Sequence, residues 1–374
     1  MVDIKELEVK SESFSKLPFR LRHNHTLSEY VLDLANENKV GNRPDAKLER
    51  RASRIDSCSN FWEIEWYRLQ GVKVITNTNR CRDRFCPNCQ MSLSLKRVHK
   101  FSPILTSLGE SNAVYHCVFT VKNCEGELLR STIKQMYKSF SYLVSYLSGK
   151  IKIHGLDFSS FGFKGAVKSL EVTYNEKNDT YHPHLHCLIV FGKDLVLDKK
   201  FETVFSYSYS HDTGERFSEE ELLIQRIWFL LNTRQKVTFE NIEKVDVGYS
   251  VKFNKAEPED YKEIFKYPFK ADLKDGNFMN YEQFKLYDDV LHGLRYVQGY
   301  GDVLNYDFSD DEKISDEELD VACNELIRQC LDVENPVKSY ERYTEMLDLM
   351  ATGRYTYVTS GSVKKFILDY DKSL

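Results

Sequence analysis

The run Tyr181-His182-Pro183-His184-Leu185-His186-Cys187-Leu188-Ile189-Val190-Phe191 limits what this chain can fold into more than any other stretch. Three histidines alternate inside a segment that otherwise has the composition of a buried β-strand. Side chains two apart share one face of a strand, so His182, His184 and His186 point the same way. Burying such a row of polar rings is costly unless they have a partner.

The residues just upstream supply one. Val167 to Tyr174 alternates and is rich in strand formers, and Asn175 to Thr180 is a polar turn, so the two runs predict a β-hairpin. With Tyr174 and Tyr181 closing the loop, antiparallel register sets Thr173 opposite His182 and Glu171 opposite His184. Directly opposed side chains are near neighbours, with Cβ atoms roughly 4.5–5.5 Å apart. Glu171, His184 and His186 then form a two-imidazole, one-carboxylate set suited to a divalent cation with positions left open for substrate oxygen. The competing reading is a solvated polar face. His182 stays open between ligation and a supporting or DNA-facing role.

Compartment and partners follow from composition. The 374 residues allow two domains, or one large domain with additions, and a hydrophobic content of 41% allows a substantial core. No run of about 18 apolar residues is present and the first residues lack the apolar core of a secretory signal. A cytoplasmic, non-membrane protein is expected, with its nine cysteines as thiols or metal ligands rather than disulfides. The net charge of −5 is unevenly placed: residues 301–374 carry 17 acidic against 8 basic side chains, which leaves the rest mildly basic. The acidic tail reads as a solvated segment, or as one that competes with DNA for the basic surface.

Cysteines concentrate early. Cys58 precedes Cys81-Arg82-Asp83-Arg84-Phe85-Cys86-Pro87-Asn88-Cys89, and these four thiols match the count and spacing of a closed tetrahedral zinc site. Pro87 fits a turn between two ligands. Phe61 to Arg68 and Val72 to Ile75 suit a hairpin that carries the first ligand to the other three, and His99 is a substitute ligand. Arg80, Arg82 and Arg84 flank the cluster and are placed to meet phosphate.

The remainder predicts an α+β fold: a central antiparallel sheet with helices packed on it, and a Cys-rich zinc-binding insertion near the N-terminus. Strands are expected at Val114 to Val121, at the hairpin and at Val245 to Val251, and helices at Leu27 to Asn36, Leu128 to Leu147 and Ser218 to Leu231. Glu257-Pro258-Glu259-Asp260 opens a further helix, with Pro258 near its first position. On that helix Glu263 and Tyr267 are four residues apart and share a face, and Lys266 and Lys270 form a second such pair. Pro268 biases Tyr267 away from helical geometry. The expected divisions are an N-terminal arm 1–54, a zinc module 55–100, a catalytic domain 101–305 and an acidic helical tail 306–374. In the tail, helices are expected around Asp316 to Leu331 and Lys338 to Met350, with Cys323 and Cys330 as core residues.

The histidine strand, the strand end Phe119-Thr120-Val121-Lys122-Asn123, the Cys-Pro-x-Cys ending and the Glu-x-x-x-Tyr-x-x-Lys segment together resemble the rolling-circle replication initiators of small bacterial plasmids. These are HUH endonucleases, and the closest likeness is to the class that pairs one tyrosine with a glutamate. The likeness covers about residues 50–305, including Leu291 to Gly301. The histidine pair alone is shared with relaxases, viral initiators and some transposases. The resemblance implies a ferredoxin- or RRM-like nicking domain, Tyr267 as nucleophile, Glu263 as the base for a terminating cleavage, and Lys270 adding positive charge. It implies Mn²⁺ or Mg²⁺ at the histidines, although the ligand types alone also suit zinc or iron. Lys266 joins the arginines as a DNA contact. Plasmid origin DNA, a host helicase and a polymerase are the implied partners. The sequence leaves open monomer or homodimer. No Gly-x-x-x-x-Gly-Lys-[Ser/Thr] loop is present, so the helicase must be a separate protein. Two other readings compete: a non-catalytic zinc-dependent DNA-binding regulator, which leaves Glu171 facing the histidines without a purpose, and a metal-dependent oxygenase, which leaves Tyr267 and the cysteines without a task.

Overall fold

The computed structural model describes residues 17–58, 61–67, 72–202, 216–245, 249, 251–265, 279–305 and 357–359. The chain divides into two compact units. One comprises Met1–Lys96, Ala271–Lys285 and Ser309–Leu374, the other Arg97–Lys270 and Leu286–Phe308.

In the first unit, helices α1 (Leu17–Glu37) and α2 (Ala46–Asp56) pack through Leu27, Val31, Ala35, Ala52 and Ile55, all buried. Asp45 caps α2 by accepting from the backbone N–H groups of Lys47 and Leu48. The sequence reading finds part of α1, but α2 is a helix it does not anticipate. Strands β1 (Phe61–Tyr67) and β2 (Val72–Thr78) form the expected antiparallel hairpin. A third strand, Tyr357–Thr359, pairs with the free edge of β1. Helix α3 (Pro87–Ser111) begins directly after Cys86. Pro87 therefore opens a helix rather than making a turn between ligands, a position where its missing N–H costs nothing. The two helices expected in the tail, with Cys323 and Cys330, lie outside the described residues.

The second unit is built on five antiparallel strands: β3 (Asn112–Thr120), β4 (Gly165–Asn175), β5 (Thr180–Gly192), β8 (Val251–Lys255) and β9 (Val297–Gly301), in the order β8-β3-β5-β4-β9. The short strands β6 (Phe201–Glu202) and β7 (Arg216–Phe217) pair apart from it. Of the strand expected at Val245 to Val251, residues 246–248 and 250 lie outside the described residues; Val251–Lys255 is a strand and is not the last, since β9 follows.

One sheet face is closed by helices α4 (Gly126–Leu147) and α5 (Glu219–Asn232), where Phe119 meets Phe140 and Trp228 edge-on. Ser218 and Glu221 form a capping box on α5. The fully buried Glu221 carboxylate also accepts from Phe253 N–H of β8 at 2.8 Å and pairs with Lys199 at 3.2 Å. A short helix α6 (Phe239–Glu243) follows. The opposite face is covered over part of its length by Phe101, Ile104 and Leu105 of α3 and by Tyr261, Ile264 and Phe265, which enclose Val167, Leu188 and Val190. The last three lie on Pro258–Phe265, which is a 3₁₀ helix and not the α-helix expected there. Its first turn is closed by Asp260 N–H donating three residues back to Glu257 O. Helices α7 (Tyr281–Val290) and α8 (Asp302–Asn305) and a one-turn 3₁₀ helix, Ser159–Phe161, complete the described elements. Among the described residues no helix is long and apolar enough to cross a membrane.

Candidate metal centres

The β4–β5 hairpin has the register expected from its turn: Tyr174 pairs with Tyr181, Thr173 with His182 and Glu171 with His184. Asn175 accepts from Lys177 N–H, and Asp179 takes a left-handed φ of 48° that turns the chain into β5. Pro183 is tolerated in this central strand because β3 pairs with β5 only as far as His184, so Pro183 has a ladder neighbour on one side alone.

Glu171, His184 and His186 converge on the face that Tyr261, Ile264 and Phe265 partly cover. His184 Nε2 lies 2.9 Å and His186 Nε2 2.6 Å from the same oxygen, Glu171 Oε2. One ligand atom from each lies within 4.8 Å of the others. Ligands sharing one cation with bonds of about 2.1 Å stand roughly 3 Å apart, so the donor types and spacings fit a divalent ion. Burial would raise the Glu171 carboxyl, but the imidazoles of His184 and His186 set against it outweigh that and hold the group well below the usual carboxylate range. His184 Nδ1 is 3.2 Å from His182 O. A carbonyl only accepts, so the Nδ1 hydrogen points there and Nε2 faces Glu171.

His182 shares the face, with its ring 5.2 Å from that of His184, but is not among the three converging ligands. Burial, helped by His184, lowers it to about 4, which makes it a neutral imidazole at ordinary pH. The sequence reading passes over His116. On β3 it stacks against His186, with centroids 5.4 Å apart and planes within 8°, and its Nε2 is 3.2 Å from His186 Nδ1. Only the pairing of β3 with β5, strands about 70 residues apart, brings it there, and no local pattern signals it.

In the first unit Cys58, Cys81, Cys86 and Cys89 are all buried and close on one another. Sγ–Sγ separations are 3.6 Å for Cys58–Cys89, 3.6 Å for Cys81–Cys89 and 3.5 Å for Cys86–Cys58. These are far beyond a disulfide bond and near the edge, about 3.8 Å, of a tetrahedron with metal–sulfur bonds of about 2.3 Å. Backbone N–H groups of Cys81, Arg82 and Asp83 donate to Cys58, Cys89 and Cys81 sulfurs respectively, as suits thiolates. Thiol donors from the other three cysteines push Cys58 far below the usual thiol range. Asp83, in the loop between Cys81 and Cys86, is held by Arg51 at 2.7 Å. Arg82 is exposed with a left-handed φ of 59°, whereas Arg80 reaches back to Asn88 O at 3.4 Å.

Glu263 lies on the 3₁₀ helix, and its side chain is outside the described residues, as is that of His99. Tyr267, Lys266 and Lys270 lie outside them altogether. The α-helical spacing expected to align Glu263 with Tyr267 does not hold over Pro258–Phe265, where residues three apart align instead.

A sheet that gathers two imidazoles and a carboxylate, joined in one chain to a four-cysteine cluster, defines a protein with two candidate metal sites. Residues 72–201 match the family described as "Replication protein". The chain is 28% identical to "Protein rep" of Bacillus sp over 284 residues, 72% of this chain and 82% of that protein. It is 28% identical to "Protein rep" of Bacillus amyloliquefaciens over 269 residues, 68% of this chain and 71% of that protein. With "Protein rep" of Streptococcus pneumoniae serotype 2 (strain D39 / NCTC 7466) it shares 27% over 259 residues, 68% of this chain and 69% of that protein. No solved structure matches. Over its central part the chain is thus similar to replication proteins, the class that its motifs resemble.

Proposed function

We propose that the chain nicks and rejoins one strand of plasmid origin DNA, with Tyr267 as nucleophile. The observation that carries this reading is the convergence of Glu171, His184 and His186 on one sheet face. Supporting it, Phe265, two residues before Tyr267, is buried on that face against Leu188 and Val190.

The Tyr267 phenol gives up its proton to solvent and its oxygen attacks the scissile phosphorus; the bond to the 3′ oxygen breaks, and that oxygen leaves as an oxyanion that takes up a proton to become a 3′-OH. The product is a 5′-phosphotyrosine. A second phosphodiester exchange reverses it, so no energy source is needed for joining. A phenol with pKa about 10 is mostly protonated at neutral pH and needs help. Glu171, His184 and His186 would hold a divalent cation, Mn²⁺ or Mg²⁺, which when bound offsets the charge that builds on the phosphate oxygens. Lys270 adds positive charge near the phosphate. Glu263 acts as general base on water in the terminating cleavage, when Tyr267 is already occupied.

Zinc at Cys58, Cys81, Cys86 and Cys89 stabilises a module whose Arg80, Arg82 and Arg84, with Lys266, grip phosphates. The proposed domains are the arm 1–54, this module at 55–100, the nicking domain at 101–305 and the tail at 306–374. The protein works in the cytoplasm with a host helicase and polymerase.

The test is covalent capture of a labelled origin oligonucleotide in Mn²⁺. Tyr267→Phe should abolish capture, and Glu263→Ala should spare the first nick but impair termination. Capture by Tyr267→Phe at the unsubstituted rate would remove Tyr267 from the role.

A further inference from the structure

Each histidine of the Glu171–His184–His186 set offers Nε2 to the shared carboxylate oxygen, so its Nδ1 must be satisfied elsewhere. For His184 the partner is the backbone carbonyl of His182 at 3.2 Å, which no substitution removes. For His186 it is a side chain, His116 Nε2, also at 3.2 Å. The two rings lie almost parallel, 8° apart, on neighbouring strands. The pairing of Val118 with His186 and of His116 with Leu188 fixes His116 one diagonal step from His186 on the same face.

We propose that His116 is a positioning residue for the metal centre. It accepts the Nδ1 hydrogen of His186, which selects the tautomer whose Nε2 lone pair faces Glu171 and the cation, and its stacked ring fixes the plane of the ligand. The inference rests on the reading of Glu171, His184 and His186 as cation ligands. Partners that orient a ligating imidazole are typically worth about 10–100-fold in metal affinity.

Two substitutions of similar bulk separate this role from packing. His116→Gln keeps an acceptor at the reach of Nε2, and His116→Met does not. The readouts are Mn²⁺ affinity, from the electron paramagnetic resonance signal of free Mn²⁺, and the melting temperature of the metal-free protein. His116→Met should weaken Mn²⁺ binding about 10–100-fold, with His116→Gln within about threefold of the unsubstituted protein and both melting alike. Met binding Mn²⁺ as well as His, or Gln binding as poorly as Met, would overturn the proposal. His184→Ala provides the separate check on the metal reading: if the unsubstituted protein and His184→Ala bind Mn²⁺ alike, the ligand assignment itself fails.

Discussion

The ligands of the proposed cation sit on a hairpin, whereas the proposed nucleophile follows a 3₁₀ segment that reaches the same face through three anchors, Tyr261, Ile264 and Phe265. Phe265 is fully buried and stacks on Phe101, with centroids 5.4 Å apart and planes within 10°. Truncating such a ring to alanine costs about 3–5 kcal/mol. Glu171, His184 and His186 belong to β4 and β5, so the loss should fall on the docking of the segment and not on the cation site. A change of that size lowers the docked-to-released ratio by roughly two to three and a half orders of magnitude. Phe265→Ala, and if needed Ile264→Ala with Phe265→Ala, should therefore make the chain sensitive to trypsin at Lys262 or Lys266 and slow covalent capture at least tenfold. Mn²⁺ affinity should change less than twofold. A double variant cut readily by trypsin that still captures oligonucleotide at the unsubstituted rate would refute the idea that this segment delivers the nucleophile.

Three further outcomes follow from the geometry. Glu221→Ala leaves the Ser218 and Phe253 N–H groups, each 2.8 Å from its carboxylate, without an acceptor; at about 1–3 kcal/mol each, urea unfolding should show a loss of about 2–6 kcal/mol, smaller for Glu221→Gln, and a loss under 1 kcal/mol would contradict the bonding described. Cys86→Ser should abolish retention of zinc, read by colorimetric release, whereas Cys117→Ser, on a buried strand of the other unit, should not; equal zinc content in both would dismiss the four-cysteine site. Burial lowers Lys168 to about 7, below its unfolded value, so the unfolded chain binds more protons between pH 7 and 10 and stability should rise across that window; Lys168→Met should remove the rise, and an unchanged slope would show that Lys168 titrates normally.

What could be read from the sequence is what one hairpin or one short loop encodes. The turn at Asn175–Thr180 sets the β4–β5 register, and with it Glu171 opposite His184, because loop length and alternation are local. The cysteine spacing is local in the same sense, and its four sulfurs meet as expected. Helices Gly126–Leu147 and Glu219–Asn232 also lie within a residue or two of the ends expected for them. Strand β9 is different. Its Gly299 and Gly301 carry no strand signal, yet Gly301 has φ +58° and a Cβ there would clash with Lys164 O. Close backbone approach selects glycine at the place where propensity would reject a strand. The 3₁₀ geometry of Pro258–Phe265 is not legible in the sequence, because an N-terminal proline with acids in the first turn marks the start of either helix type, and only the hydrogen bonds formed distinguish them.

The division between local and non-local order also runs through the proposed site. Its three ligands come from one hairpin whose geometry survives as long as β4 and β5 pair. The support from His116 requires β3, and the approach of the nucleophile requires the packing of Ile264 and Phe265 on Val167, Leu188 and Val190. Cation binding and strand cleavage should therefore be separable by mutation in one direction only. Changes in the 3₁₀ segment should suppress cleavage and leave affinity for the ion intact, whereas loss of Glu171 or His184 should remove both, since the ion gives the cleavage its electrostatic support.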